Sequence, residues 1–322
     1  MFSNDNQNGK INIRNLSADV LRALNVLAEQ HDRSLEAEAR QALRAWVQPQ
    51  IENEIRTTRA AAIGQRLRYL QEEIDRARYG GSPASPSRVA EALAWPRAQS
   101  VEDWFAGESE PTFEELSQLS DLFGCSRSWL LHGEGTPYSA IYQRIPENAF
   151  AGADFLLASS EAGVQPRLYL LRSKSKAGEF CYVRSYSDWH AQTFSTPYHI
   201  SDVIGSGGEA SLAALSLVFE SLYRRWTRGD ATDTSIQAFL VDDADFSSLL
   251  AGKRHPLSII RDQDKSCWWE DFWDAAQSSK QNYWPGWASI TAHIQSVVDG
   301  RPSLKAQREK LRGNPQYAND EE

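Results

Sequence analysis

Polar and apolar positions alternate with period two over Lys10-Ile11-Asn12-Ile13-Arg14, which predicts a short strand with one face buried. Ser17 then stands at an N-cap position, and Val20, Leu21, Leu24 and Leu27 return at helical spacing as far as Gln30. After His31-Asp32-Arg33, Ser34 is a second cap. It precedes Leu35, Ala39, Ala42, Leu43, Trp46 and Val47 on one face of a helix that Pro49 is expected to close. A helical linker is predicted over 51–59. Ile63, Leu67, Leu70 and Ile74 next trace the stripe of a longer helix that ends at Tyr79-Gly80-Gly81. Short helices follow over 87–94 and 99–105, joined by the tight connection Trp95-Pro96-Arg97, and then over 112–123 and 126–131.

From about Tyr138 the pattern changes to mixed α and β. Strands are predicted at 168–171 and 180–183, with a turn through Lys176-Ala177-Gly178, and again at 238–241 ahead of a short helix over 246–250. Leu212, Leu215, Val218, Phe219, Leu222 and Trp226 mark a helix too apolar to lie on a surface. From Gly300 onward the chain is charged and is expected to fray. The expected organisation is therefore multidomain. A strand and two helices fill 1–50, an all-α unit with its helical linker 51–137, an α+β domain 138–300, and a flexible tail 301–322.

At 322 residues with 41% hydrophobic content and 11 Trp, the composition is that of a packed protein and excludes a disordered chain. Cys125, Cys181 and Cys267 are odd in number and far apart, so neither a disulfide framework nor a zinc knuckle is indicated, and a reducing cytoplasm is expected. No apolar run approaches the roughly 18 residues of a membrane helix. The formal net charge of −9 has the wrong sign for a protein that coats nucleic acid, so any DNA contact must come from local Arg and Lys.

The first 50 residues are too few to bury the apolar faces of one strand and two short helices, which predicts a homodimer. Residues 10–47 resemble the Arc/MetJ-type ribbon-helix-helix repressors, including FitA-like antitoxins, in element order and turn lengths. The resemblance implies a two-stranded ribbon in the major groove of double-stranded DNA, with Lys10, Asn12 and Arg14 on base edges. Ile11 and Ile13 would face the dimer core, and the helix that begins at Ser34 would point its amides at a phosphate. The alternative is an ordinary amphipathic hairpin with a solvated polar face.

The next helices carry Gly107-Glu108 and Pro111 after the third, Phe123-Gly124 after the fourth, and Trp129-Leu130-Leu131-His132-Gly133-Glu134-Gly135 at the end. This ordering resembles the phage Cro/repressor-type helix-turn-helix family. The resemblance implies that Arg97, Ala98, Gln99 and Ser100 approach bases while Ser87 and Arg88 lie near phosphate. Two departures run against it. Glu102 and Asp103 place negative charge on the reading helix, and Ser82-Pro83-Ala84-Ser85-Pro86 leads into the second helix by a longer and stiffer path than the family uses. Residues 51–147 hold 10 Arg, no Lys and 15 Asp plus Glu, a net charge of −5. The alternative is a helical module that keeps the fold and serves dimer or partner contacts.

In the last half, Gly205-Ser206-Gly207-Gly208-Glu209-Ala210 fits a phosphate-binding glycine string but lacks the preceding buried strand and repeating β-α pattern, so a turn plus helix start is expected. Trp268, Trp269, Trp273, Trp284 and Trp287 could form a stacking platform. With Glu270, Asp271 and Asp274 among them, core or interface is expected instead. Cys181, His190, His199 and His255, with Ser195, Thr196 and Asp202, show no metal-ligand or nucleophile spacing. No cofactor is indicated. The function expected is a sequence-specific transcription regulator acting as a dimeric repressor, its C-terminal domain serving a toxin, a small effector or dimerisation. An autoregulating antitoxin is the alternative, and a nucleic-acid enzyme with catalysis in residues 138–322 is a second one; no catalytic constellation supports turnover.

Overall fold

A computed structural model describes residues 13–78, 83–203, 205–228 and 234–313, apart from the side chains of 49–57 and 206. The chain divides into two units, Met1–Arg59 and Ala60–Glu322.

In the first unit, α1 (Ala18–Gln30) starts after Ser17, whose backbone is extended and whose side chain makes no cap bond. Its end is set by Asp32 at φ 51°, a left-handed conformation that a short polar side chain tolerates. Ser34 then caps α2 (Leu35–Ala77), its Oγ accepting from the Ala37 amide at 3.2 Å. The turn is fixed by the buried Glu38 carboxylate, which lies 3.0 Å from His31 Nδ1 and 3.7 Å from the Arg33 guanidinium.

One expectation for this region is corrected, and a second falls mostly outside the described residues. Pro49 does not close the helix: α2 runs through it and through the predicted linker as one 43-residue helix. A proline removes one hydrogen bond of the ladder, yet its fixed φ of about −65° is itself helical. The strand predicted over 10–14 is not found at Ile13 and Arg14, which have no regular structure, while Lys10, Ile11 and Asn12 lie outside the described residues. Within one chain a lone strand has no neighbour to take its amides and carbonyls.

In the second unit the last turns of α2 present Ile63, Leu67, Leu70 and Ile74, all fully buried, to four short helices. These are α3 (Pro86–Ala92), α4 (Gln99–Ala106), α5 (Phe113–Phe123) and α6 (Arg127–His132). The glycines of the sequence motif have a backbone role, because Gly107, Gly124 and Gly133 end α4, α5 and α6 in the left-handed conformation. Gly64 permits a close backbone approach in this core. A Cβ there would sit 2.7 Å from the Trp104 carbonyl oxygen.

The chain then builds β1 (Ile141–Tyr142), α7 (Ala149–Leu156), β2 (Arg167–Ser173), β3 (Glu179–Ser185), β4 (Ala191–His199), α8 (Ser206–Thr227) and β5 (Ile236–Val241). After these come α9 (Asp243–Leu250), α10 (Pro256–Ile260), β6 (Lys265–Ser266), α11 (Trp268–Asp271), α12 (Ala275–Ser278), α13 (Trp287–Gly300) and α14 (Pro302–Gly313). The six strands form one mixed sheet in the order β1-β4-β3-β2-β5-β6. β2 pairs antiparallel with β3 and parallel with β5, the return to β5 being made through α8.

Period-two alternation sends Leu168, Leu170, Phe180 and Tyr182 to a core shared with α7, α8 and α13, and Leu171, Cys181 and Val183 to a second core with α9 and α10. The tryptophan cluster is core: Trp268, Trp269, Trp284 and Trp287 are all buried and the Phe219 ring of α8 lies 5.8 Å from that of Trp268. Five indoles make an oily wall only when a helix such as α8 covers them.

The expected frayed tail is also corrected. Residues 302–313 form α14, which buries Leu304 and Leu311 and sets Arg312 Nε 3.1 Å from the buried Glu220 carboxylate on α8. Two leucines seven residues apart are enough to dock a charged helix, a pattern that mean hydropathy hides. The helical part and the sheet of this unit share a polar joint. Glu73 Oε2 on α2 accepts from the His255 amide at 2.8 Å and from Ser258 Oγ at 2.9 Å.

Candidate nucleic-acid interface

The first unit buries almost nothing of its own. Ala28 and Glu38 are its buried residues among those described, while Ile13, Leu16, Val20, Leu21, Val26 and Leu27 are exposed and Trp46 is 70% exposed. The stripe that the sequence marks as core is therefore formed along α1 and α2 and left largely exposed among the described residues of this unit. Arg14 is exposed beside it. Ser34 is exposed too, but its hydroxyl is already used on the Ala37 amide, so the start of α2 keeps only part of its donor capacity for a phosphate.

In the second unit α3 packs against α4. The turn between them is anchored by Trp95, whose indole N–H donates to Gln118 Oε1 at 3.0 Å and whose ring meets Trp104 edge-on at 5.5 Å. Ala94 in this turn adopts φ 53°, a strained value for a residue with a Cβ. Sequence reasoning named the Trp95-Pro96-Arg97 connection for its length and missed the anchoring. An indole inside so short a connection was the available signal.

Ser87, Arg88, Arg97, Gln99 and Ser100 are exposed on this helix pair, and Ala98 is half-buried against the helical core. The N-termini differ in their capping. Ser85 caps α3 by accepting from the Arg88 amide, Thr112 and Glu115 form a reciprocal capping box on α5, and Ser126 caps α6. α4 starts at Ala98 with no side-chain cap, so among these four helices its first-turn amides alone lack a local side-chain acceptor. Arg97 immediately precedes them. Against this, Glu102 is exposed and Gln99 Nε2 donates to Asp103 Oδ1 at 2.9 Å, which occupies one of the two N–H donors of the amide that would read adenine and holds its orientation.

The other constellations resolve into structure. His255 is fully buried, and burial pushes its pKa down to about 3. Nδ1 accepts from the Leu257 amide while Nε2 faces the Trp189 carbonyl, which assigns the neutral tautomer with the proton on Nε2. His190 is also held below its ordinary value by burial. The Cys181 thiol is buried and pushed up. Ser195, Thr196 and His199 lie on β4, where Thr196 Oγ1 donates to the Phe180 carbonyl. The glycine string does begin a helix, α8, whose N-cap is Gly205. The adjacent Arg144 is already engaged by Glu147 and Ser211. Among the described residues no group of three or more His, Cys, Asp or Glu is placed to hold a metal, and no helix is long and apolar enough to cross a membrane.

Residues 10–47 match the antitoxin FitA-like ribbon-helix-helix family. The chain is also 32% identical over 77 residues to the HTH-type transcriptional regulator DicA of Escherichia coli (strain K12), a match that covers 24% of this chain and 50% of that protein. The chain thus spans about half the length of the curated relative it matches. No solved structure matches. The N-terminal module is of the DNA-binding regulator or antitoxin type.

Proposed function

We propose that the protein is a sequence-specific DNA-binding repressor that works as a homodimer. The observation that carries this reading is the uncovered apolar stripe of α1 and α2, located in the segment that matches a ribbon-helix-helix family. A second copy would cover the stripe and supply the strand that residues 10–14 need as a partner. Lys10, Asn12 and Arg14 of both copies would then enter one major groove. The pair α3 and α4 would act as a helix-turn-helix on flanking DNA, with Arg97, Gln99 and Ser100 toward bases and Ser87 and Arg88 toward phosphate. The uncapped start of α4 supports this orientation. The chain would act by binding rather than turnover, in the cytoplasm.

The test is selection of genomic fragments by the purified full chain, then footprinting and sedimentation. A palindrome protected by a dimer, with Arg14→Ala costing roughly 1–3 kcal/mol on the palindrome alone, is the expected result. A monomer with specific binding, or equal weakening on every sequence, would remove the ribbon from the mechanism. The antitoxin reading has one observation in its favour, the antitoxin description of the matching family. Co-purification of a small second protein bound through residues 138–322 is what it requires.

A further inference from the structure

A cavity of about 410 Å³ lies in the second unit between the end of α2, the sheet strands β2 and β5, and α10. Its chemistry differs from that of the chain around it. The protein has a net charge of −9, yet Arg78, Arg167, Arg261 and Lys265 all line this one cleft, with Asp188 the single carboxylate among the lining residues. Asp188 is committed to Arg167 at 2.8 Å. Arg261 donates one N–H to the Arg76 carbonyl at 2.7 Å, a bond that holds its guanidinium in place. Arg78 is half-buried, its Nη1 has no hydrogen-bond partner among the described residues, and Lys265 is exposed at the rim.

Fixed forks of N–H groups match the oxygens of a phosphate. Beside the cations the cleft has an apolar wall formed by the half-buried Tyr169 ring, which is backed by the buried Phe239 ring 6.3 Å away and tilted by 39°. The volume falls in the range of small-molecule sites, and one charged end beside one flat apolar wall is how such sites orient a ligand.

We propose that this cleft binds a small phosphorylated molecule built on a flat ring, of the nucleoside monophosphate class. The phosphate sits between Arg78, Arg261 and Lys265, and the ring lies against Tyr169. A concave, half-open cleft of this size fits a small anion better than a duplex, whose phosphates lie on a convex rod. The site is built by the second unit alone, so the proposal stands independently of whether the N-terminal module binds DNA.

The experiment is calorimetric titration of the full chain with each of the four ribonucleoside monophosphates, with inorganic phosphate, with the matching nucleosides, and with a mixed-sequence DNA duplex. At least one monophosphate should saturate the protein one to one and bind at least tenfold more tightly than either phosphate or its own nucleoside. Arg78→Gln and Lys265→Gln keep the side-chain stems and break no hydrogen bond seen within the chain. Each should weaken that monophosphate about tenfold, with the thermal midpoint unchanged. Tyr169→Leu should weaken the monophosphate and leave inorganic phosphate where it was. Saturation by none of the monophosphates, or phosphate binding as tightly as the best of them, overturns the proposal. So does duplex DNA that competes at this cleft, which would make the cations a backbone contact instead.

Discussion

The same kind of amphipathic helix ends in opposite circumstances in the two units. On α2, Ile63, Leu67, Leu70 and Ile74 are fully buried by helices of the same chain, whereas Leu43, Trp46 and Val47 earlier on that helix are exposed. α8 is likewise enclosed, with Val218, Phe219 and Leu222 at 0% exposure against the sheet and the tryptophans, whereas α1 leaves Val20 46% exposed. The sequences of the two kinds of helix are equally periodic. They differ in supply: the second unit has enough chain to provide a cover for every stripe, and the first does not. One unit is a finished core, and the other is half of one.

The largest effect should come from cutting the finished core. Trp268→Ala removes a fully buried indole packed on Phe180, Phe219 and Trp284 and is expected to cost about 3–5 kcal/mol. Urea denaturation followed at several protein concentrations should show that loss unchanged by concentration. A concentration-dependent loss would mean that this core, too, is completed between chains.

A second effect of similar size is confined to the second unit and depends on pH. His255 is neutral in the fold with a pKa of about 3, while in the unfolded chain it titrates near 6.5. Between those values the unfolded state binds the extra proton. The stability from keeping His255 neutral is therefore complete above about pH 6.5 and declines as pH falls toward 3, by on the order of 4 kcal/mol. Midpoints measured from pH 7 down to 4 should fall, and His255→Gln, which can still accept from the Leu257 amide and donate to the Trp189 carbonyl, should flatten that slope.

The unfinished core should respond differently. Leu21→Lys changes a residue already 42% exposed within the chain, so the midpoint of the second unit should move by less than about 0.5 kcal/mol. Self-association should lose roughly 1.5–3 kcal/mol per protomer, read as monomer by sedimentation, with loss of operator binding. An unchanged sedimentation coefficient would break the comparison, because the exposed stripe would then have no second copy to cover it.

The smallest effect tests the acidic helix. Replacing Glu102 by Gln and Asp103 by Asn removes two charges and makes the bond from Gln99 Nε2 to position 103 a weaker, neutral one. If the acids sit against phosphate, affinity should rise on all sequences by about 1 kcal/mol or less, with a steeper salt dependence in fluorescence anisotropy. A loss on the cognate site alone would assign one of the acids to a cytosine. No change, with Gln99→Ala silent as well, would remove α3 and α4 from the DNA contact.

What could be read from residues was whatever local chemistry fixes. Caps at Ser34, Thr112 and Ser126, glycines at 107, 124 and 133, and the leucine periodicities place helices because each acts within a few residues of itself. The β2–β3 hairpin and the indole core followed from alternation and from the acids that rule out a stacking platform. Partner chemistry at long range could not be read. Pro49 looked like a stop and lies inside a helix, residues 302–313 looked like a tail and dock on α8, and β4 carries too mixed a pattern to be seen until β3 and β1 pair with it. The four cations of the cleft lie at positions 78, 167, 261 and 265, and only the tertiary structure places them together. The sequence by itself determined the local elements and the expectation of a second copy for the first unit, because periodicity and chain length are properties of the strand of residues alone. The tertiary structure decided which stripes are covered, which histidine is neutral and where the charges converge. Burial and charge convergence depend on neighbours that lie tens to hundreds of residues away.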